Sequence, residues 1–263
     1  MTVDRPQTSA LGVPRTTVVP DAATAERAVA NEVCELVAEK PDAVLGLATG
    51  STMVGVYAEL VRRHDAGGLD LSRVTTFNLD EYLGLPSGSP QAYRAFMEEH
   101  LFGRTSMDPA RAHVPDAVLA RADMEGYCAG WERAIEDAGG LDLQLLGLGR
   151  NGHIAFNEPG SSQTSRTRQV ELCSVTREDA APTFGGVDRV PRAAITMGVA
   201  TILAARRLRV LVFGTGKSTM LRRVLTDPVG PDVPGTYLRG HGDVEFWVDV
   251  AAAEGLDDLL PAE

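Results

Sequence analysis

The stretch Leu143-Gln-Leu-Leu-Gly147-Leu-Gly-Arg-Asn-Gly152-His-Ile-Ala-Phe-Asn157-Glu-Pro159 joins a short apolar run to a loop dense in polar and ionisable side chains. Leu143 to Leu146 reads as a buried strand, because the apolar run is short and glycines follow it at once. Asn151, His153, Asn157 and Glu158 are then presented beyond its carboxyl end, which is where ligands bind in an open parallel sheet. A lone histidine is commonly a core side chain, but Asn151 and Glu158 lie within a few residues of His153 on an irregular loop. Gly147, Gly149 and Gly152 also spell G-x-G-x-x-G, with Glu171 near the spacing of a ribose-binding acid. That motif needs its third glycine to open a helix facing a pyrophosphate. Pro159-Gly-Ser-Ser162 interrupts the segment too soon for that, which argues against a dinucleotide site.

Three other strand ends extend the pattern. Ala43 to Ala48 is a continuous apolar strand that breaks into Thr49-Gly50-Ser51-Thr52 and then into the helical spacing Val54, Val56, Tyr57, Leu60, Val61. Strand, glycine–hydroxyl loop and helix in that order make an anion site, or else an ordinary turn with a Ser or Thr cap. Val74 to Asn78 ends in Leu79-Asp80-Glu81-Tyr82, where Asp80 reads as a general base whose neighbour raises its pKa, or as a solvated acidic turn. Leu208 to Phe213 ends in Gly214-Thr-Gly-Lys-Ser218. This fails as a P-loop, since Leu211 occupies the place of the required first glycine. Lys217 is still distinctive: Lys40 and Lys217 are the only lysines in a chain whose other cationic side chains are arginines. A compact ammonium at a strand-to-helix junction suits phosphate.

Thr17 to Val19 and Val244 to Val250 complete the candidate strands. Ala22–Ala38, Arg94–Leu101 and Asp123–Ala138 have helical spacing, with Trp131 packing and Cys34 in the core. Gly160 to Val190 is polar, broken by Pro182 and Gly185-Gly186, and long for a connection inside a compact domain; following directly on Glu158, it reads as an irregular lid. The expected architecture is α/β: an open doubly wound, mostly parallel sheet with helices on both faces and a lid segment. Residues 1–15 are expected to be a flexible tail, and 16–263 a single domain with its lid at about 160–190.

A chain of 263 residues, 44% hydrophobic and 23% charged, suffices for a full core. A net charge of −11 disfavours nucleic acid and anionic membrane as partners. Cys34, Cys128 and Cys173 are widely spaced and form neither a disulfide framework nor a metal cluster with histidine. No apolar stretch reads as a signal peptide or a membrane span, so the expectation is a cytoplasmic protein. Together the strand ends form an anion grip and two acid–base groups. They fit a sugar-phosphate isomerase type of reaction that needs no metal or cofactor.

The segments LATGST (47–52), TFNLDEYLGL (76–85), GLGRNGHIAFNEPGSS (147–162), SRTR (165–168), AITMG (194–198) and GTGK (214–217) together resemble the glucosamine-6-phosphate deaminases over nearly the whole chain. Phosphogluconolactonases belong to the same wider superfamily, but Phe156-Asn157-Glu158-Pro159 is similar to the deaminases. The resemblance implies conversion of glucosamine 6-phosphate and water to fructose 6-phosphate and ammonia. It gives Asp80 the C2 proton, and it makes His153, held by Asn151 and Glu158, the group that opens the ring; Glu81 is a helper. Thr49, Gly50, Ser51, Thr52, Gly147 and Lys217 are expected to bind the substrate and its phosphate.

The chain departs from the pattern at Asn151, where many members have Asp. It departs again at Ala181-Pro182-Thr183-Phe184, where members carry a phosphate-reaching lid arginine; Arg168 or Arg177 is expected to substitute. Val170, in place of a basic residue, and the short end after Asp249 point to a monomer or small homo-oligomer. Galactosamine 6-phosphate, a lactone, or a non-catalytic sensor role are the alternatives.

Overall fold

The computed structural model describes residues 12–259, so residues 1–11 of the expected tail lie outside the described residues. The inner limit of that tail moves outward, because Arg15 already opens strand β1 (Arg15–Val19) and donates to Glu245 at 2.8 Å. Helix α1 (Ala22–Glu39) begins at Asp21, whose carboxylate accepts the Thr24 N–H at 2.8 Å. Then come β2 (Val44–Leu47), α2 (Ser51–Asp65), β3 (Thr75–Asn78), β4 (Asp80–Leu83) and α3 (Tyr93–His100). After β5 (Ala112–His113), α4 (Ala117–Ala122) and α5 (Met124–Asp137) the chain reaches β6 (Leu143–Gly147). It closes with β7 (Arg168–Glu171), α6 (Ser174–Phe184), β8 (Ala193–Thr196), α7 (Val199–Leu203), β9 (Leu208–Val212), α8 (Ser218–Thr226) and β10 (Val244–Asp249).

Seven strands form one sheet in the order β1-β10-β9-β6-β2-β3-β5, and every pairing is parallel. All residues of β2 and β9 are buried. Since successive side chains point to opposite faces, helices must cover both faces, which is why β2 reads as an apolar run and β9 is broken only by Arg209, itself buried in an ion pair with Glu32 at 2.6 Å. The core takes Val29 and Val33 from α1, Met53 and Leu60 from α2, Ile135 from α5 and Leu221 from α8. From β2 the chain runs outward through β3 to β5. It then returns to the other side of β2 as β6, and β9 and β10 extend that side. The crevice of a doubly wound sheet lies at this reversal, here between the carboxyl ends of β2 and β6.

Two expectations need correction. Leu79-Asp80-Glu81-Tyr82 is no acidic turn: β4 is fully buried and pairs antiparallel with β8, which pairs antiparallel with β7, making a second, three-stranded sheet. Two adjacent acids hide a strand when periodicity is sought, but Asp80 and Glu81 are only 6% and 4% exposed. The segment expected as a lid at 160–190 is not one long loop, since it holds β7 and α6. Pro182 is tolerated in the last turn of α6, and Gly185, in the left-handed region at φ 70°, ends the helix.

Candidate active site

A cleft of about 540 Å³ opens at the β2–β6 reversal, a size suited to a small polar ligand. Its floor is made by Ala48 to Thr52 after β2 and Gly147 to Gly149 after β6. Gly50 is the N-cap of α2, with φ 100°, and no side chain caps the helix. A Ser or Thr cap is thereby excluded. The first-turn N–H groups and the positive end of the helix are left for an anion at the cleft, beside the hydroxyls of Thr49, Ser51 and Thr52.

Asp80 faces the cleft from the step between the two sheets: Leu79 N–H still bonds Leu47 in the large sheet at 3.0 Å, while Asp80 pairs with Thr196 in the small one. Burial, and then the charge of Glu81, push the Asp80 carboxyl well above its usual range. The expected neighbour effect is therefore present. Glu81 itself does not line the cleft; its carboxylate accepts the backbone N–H groups of Tyr82, Tyr93 and Arg94 at 2.8, 3.0 and 3.1 Å, which ties β4 to the start of α3. Burial raises Glu81 as well, against these bonds. An apolar wall adjoins Asp80, where the Tyr82 ring lies 4.9 Å from Tyr93, 5.3 Å from Phe156 and 5.2 Å from Phe184 between centroids.

His153 enters from the loop after β6. Its ring lies so close over Gly149 that a Cβ there would meet ring atoms at 2.4 Å. The loop is stapled from beneath by Asn157, fully buried, whose amide donates to Ile154 and Met197 carbonyls at 3.1 and 2.8 Å. Phe156 N–H bonds Thr196 Oγ1 at 3.2 Å. Ala155, also at the cleft, is the one non-glycine residue with positive φ (51°) among the described residues, and marks local strain where the loop turns.

Imidazole Nδ1 lies 3.6 Å from Glu158 Oε2 and 3.3 Å from Thr176 Oγ1, so Nε2 is the nitrogen left for a ligand. Burial raises Glu158, but its bonds with His153, Thr176 and Asn151 outweigh this and bring it down to about 2. Neither Asn151 nor Glu158 lines the cleft. Asn151 does not touch the ring either: its amide donates to Glu158 Oε2 at 2.8 Å, and its Oδ1 accepts the His153 backbone N–H at 3.2 Å. The direct support expected of it is exerted through Glu158 and the backbone.

Lys217 lines the far side, donating to the Leu148 carbonyl at 2.9 Å. Burial lowers its pKa. Neither arginine expected to replace a lid cation reaches the cleft. Arg168 donates to Asn157 Oδ1 and Ser161 Oγ at 2.9 and 3.0 Å, and Arg177 to the Val187 carbonyl at 2.8 Å. Thr176, Asp179, Ala180, Thr183 and Phe184 of α6 make the outer wall. Thr183 and Phe184 stand in the stretch noted for lacking the lid arginine; Thr176, Asp179 and Ala180 were not singled out from the sequence, because the α6 face toward the cleft is largely polar and shows no apolar period.

The chain matches the family model described as glucosamine-6-phosphate isomerases/6-phosphogluconolactonase over residues 20–247. It is 45% identical over 240 residues to a glucosamine-6-phosphate deaminase of Rhodopirellula baltica, covering 91% of this chain and 95% of that one. It is also 45% identical over 224 residues to glucosamine-6-phosphate deaminase 2 of Bacillus subtilis, covering 84% and 89%. A solved structure of a monomeric glucosamine-6-phosphate deaminase superposes with a TM-score of 0.88 at 39% identity, covering 91% and 99% of the two chains. The 6-phosphogluconolactonase of Thermotoga maritima shares the fold, with a TM-score of 0.70 at 23% identity over 89% and 99%.

Proposed function

The chain belongs to the family of glucosamine-6-phosphate isomerases and 6-phosphogluconolactonases, and from that premise we propose how its cleft deaminates glucosamine 6-phosphate. The enzyme converts glucosamine 6-phosphate and water to fructose 6-phosphate and ammonia, a reading supported by relatives at 45% identity that are named glucosamine-6-phosphate deaminase. The observation that supports these site roles is that Asp80 and His153, delivered by different sheets, line one cleft with the α2 N-terminus and Lys217.

Phosphate is held by the N–H groups and hydroxyls of Thr49 to Thr52, with Gly147 leaving room and Lys217 adding charge. His153, with Nδ1 turned to Glu158, uses Nε2 to take the proton of the C1 hydroxyl and deliver it to the ring oxygen, giving the open-chain aldehyde. Glu158 stays ionised and stabilises the imidazolium. The Asp80 carboxylate then takes the proton from C2, forming a 1,2-enolamine, and returns it at C1. The resulting C2 iminium adds water and releases ammonia, leaving the ketose. A carboxylate raised above its usual range by a dry, aromatic-walled site is a stronger base than one in water, as this step requires.

We place the enzyme in the cytosol, where phosphorylated sugars are retained, as a monomer or small homo-oligomer. Ammonia and fructose 6-phosphate are measured from glucosamine 6-phosphate and from its C4 epimer, galactosamine 6-phosphate. Turnover of the former at the higher kcat/KM is expected. Release from neither would overturn the reading.

A further inference from the structure

The cleft that holds the anion-binding segment also carries an acid. Asp179, on α6, lines it together with Lys217 and the α2 N-terminus. A carboxylate beside a phosphate site repels the ligand unless its charge is engaged elsewhere. Here it is engaged by Arg150, whose Nη2 lies 2.7 Å from Asp179 Oδ1 and whose Nε donates to Oδ2 at 3.2 Å, a two-pronged grip. Glu178 offers a second carboxylate 3.8 Å away.

Arg150 directly follows Gly149, which lines the cleft, and its side chain is 48% exposed, so the guanidinium is not locked in a packed core. Lys217 is the one lysine or arginine among the described residues lining the cleft, and its ammonium already donates to Leu148. Lys217 lies within electrostatic range of both partners: after burial, the largest influence, Asp179 raises its pKa and Arg150 lowers it. A single ammonium faces a ligand group of up to two negative charges, while a guanidinium suited to bidentate phosphate recognition waits at the rim on a carboxylate.

We propose that Arg150 is a second phosphate-binding cation, held in reserve by Asp179. On substrate entry the guanidinium exchanges the Asp179 carboxylate for phosphate oxygens, and the strength of the ion pair sets how readily it does so. The exchange presupposes the sugar-phosphate substrate proposed above and specifies how its anion is gripped.

The two halves of the pair make opposite predictions. Inorganic phosphate titrated calorimetrically into the full chain is expected to bind about tenfold more weakly to R150M, the loss of one charge-assisted contact. It is expected to bind severalfold more tightly to D179N, which releases the guanidinium and removes a repelling charge. KM for glucosamine 6-phosphate should move in the same two directions. If both variants weaken phosphate, or R150M leaves it unchanged, the pair only braces the loop against α6 and the proposal falls. Melting curves show whether each variant is folded; should R150M unfold, R150Q is titrated in its place against the same expectation. A wild-type chain that binds phosphate but releases no ammonia would overturn the substrate reading while leaving the phosphate comparison intact.

Discussion

Asn151 donates to Glu158 at 2.8 Å and leaves the imidazole of His153 untouched. The amide therefore braces the acid, and the acid faces the ring. Asn151→Ala is expected to raise the Glu158 pKa from about 2, because a bond holding the anion is lost. Turnover should fall roughly tenfold, in line with the loss of a bond to a charged group. The check is the pH dependence of kcat: its acid limb should move to higher pH, and a profile that superimposes on wild type would take Asn151 out of the acid–imidazole pair.

Glu158 also enters stability. Its folded pKa of about 2 lies below the value of 4.5 for a free glutamate. The folded state therefore binds fewer protons than the unfolded one between these values, and the stabilisation is present above pH 4.5 and lost as pH falls toward 2. Glu158→Gln should flatten the dependence of melting temperature on pH in that window. An unchanged acid slope would mean that Glu158 is not held as an anion.

Asp80 has the opposite sign. Its folded pKa is raised, so the folded state binds more protons above the ordinary carboxylate range, and stability declines as pH rises through that window. Asp80→Asn should therefore abolish turnover, by at least the ~10²-fold worth of a general base, while raising the melting temperature at neutral pH. Substrate binding, followed by equilibrium titration, should be nearly intact. A variant that is inactive and less stable than wild type would contradict the assigned environment.

His153→Gln is expected to slow the cyclic substrate far more than an open-chain analogue, since the ring nitrogen's task ends when the pyranose opens. Steady-state rates on both substrates make the comparison. Equal losses would move His153 to a later step.

Lys217→Ala should weaken phosphorylated sugar and hardly change the poor binding of free glucosamine. Because Lys217 also holds the Leu148 carbonyl at 2.9 Å, the control is the fold of the β6 loop, read from the melting temperature. If both affinities fall alike, the lysine is a loop support.

The large sheet was legible because β2, β6 and β9 are buried almost throughout and rich in Leu and Val, with Gln144 and Arg209 the polar interruptions of β6 and β9, and a glycine lies at or shortly beyond each carboxyl end. The small sheet was not. β4 carries two acids whose partners are distant in the chain, with Asp80 beside Thr196, and β7 alternates only between partly buried and exposed residues. Adjacent Asp80 and Glu81 looked like a working pair; only the fold shows that the N–H groups of Tyr82, Tyr93 and Arg94 occupy one of them. Thr176 and Asp179 in the wall had no signature either, since a polar helix face turned toward a cleft is indistinguishable, residue by residue, from one turned toward solvent.

Asp80, Thr196 and Arg168 stand in one row across the three strands of the small sheet, and α6 continues from β7 after a two-residue link. The base and the outer wall are thus mounted on one plate and the anion floor on the other, while the His153 loop is bonded to both, through Gly149 on one side and Thr196 and Met197 on the other. Sliding of one plate over the other would carry the carboxylate and the wall together, bringing both up to the sugar or withdrawing both. Leu79, bonded to Leu47 on one side and to Met197 on the other, is the pivot they share. In a chain built this way, a shift that closed the outer wall over the cleft would carry Asp80 with it, so enclosing the substrate and bringing up the group that takes its proton are mechanically coupled.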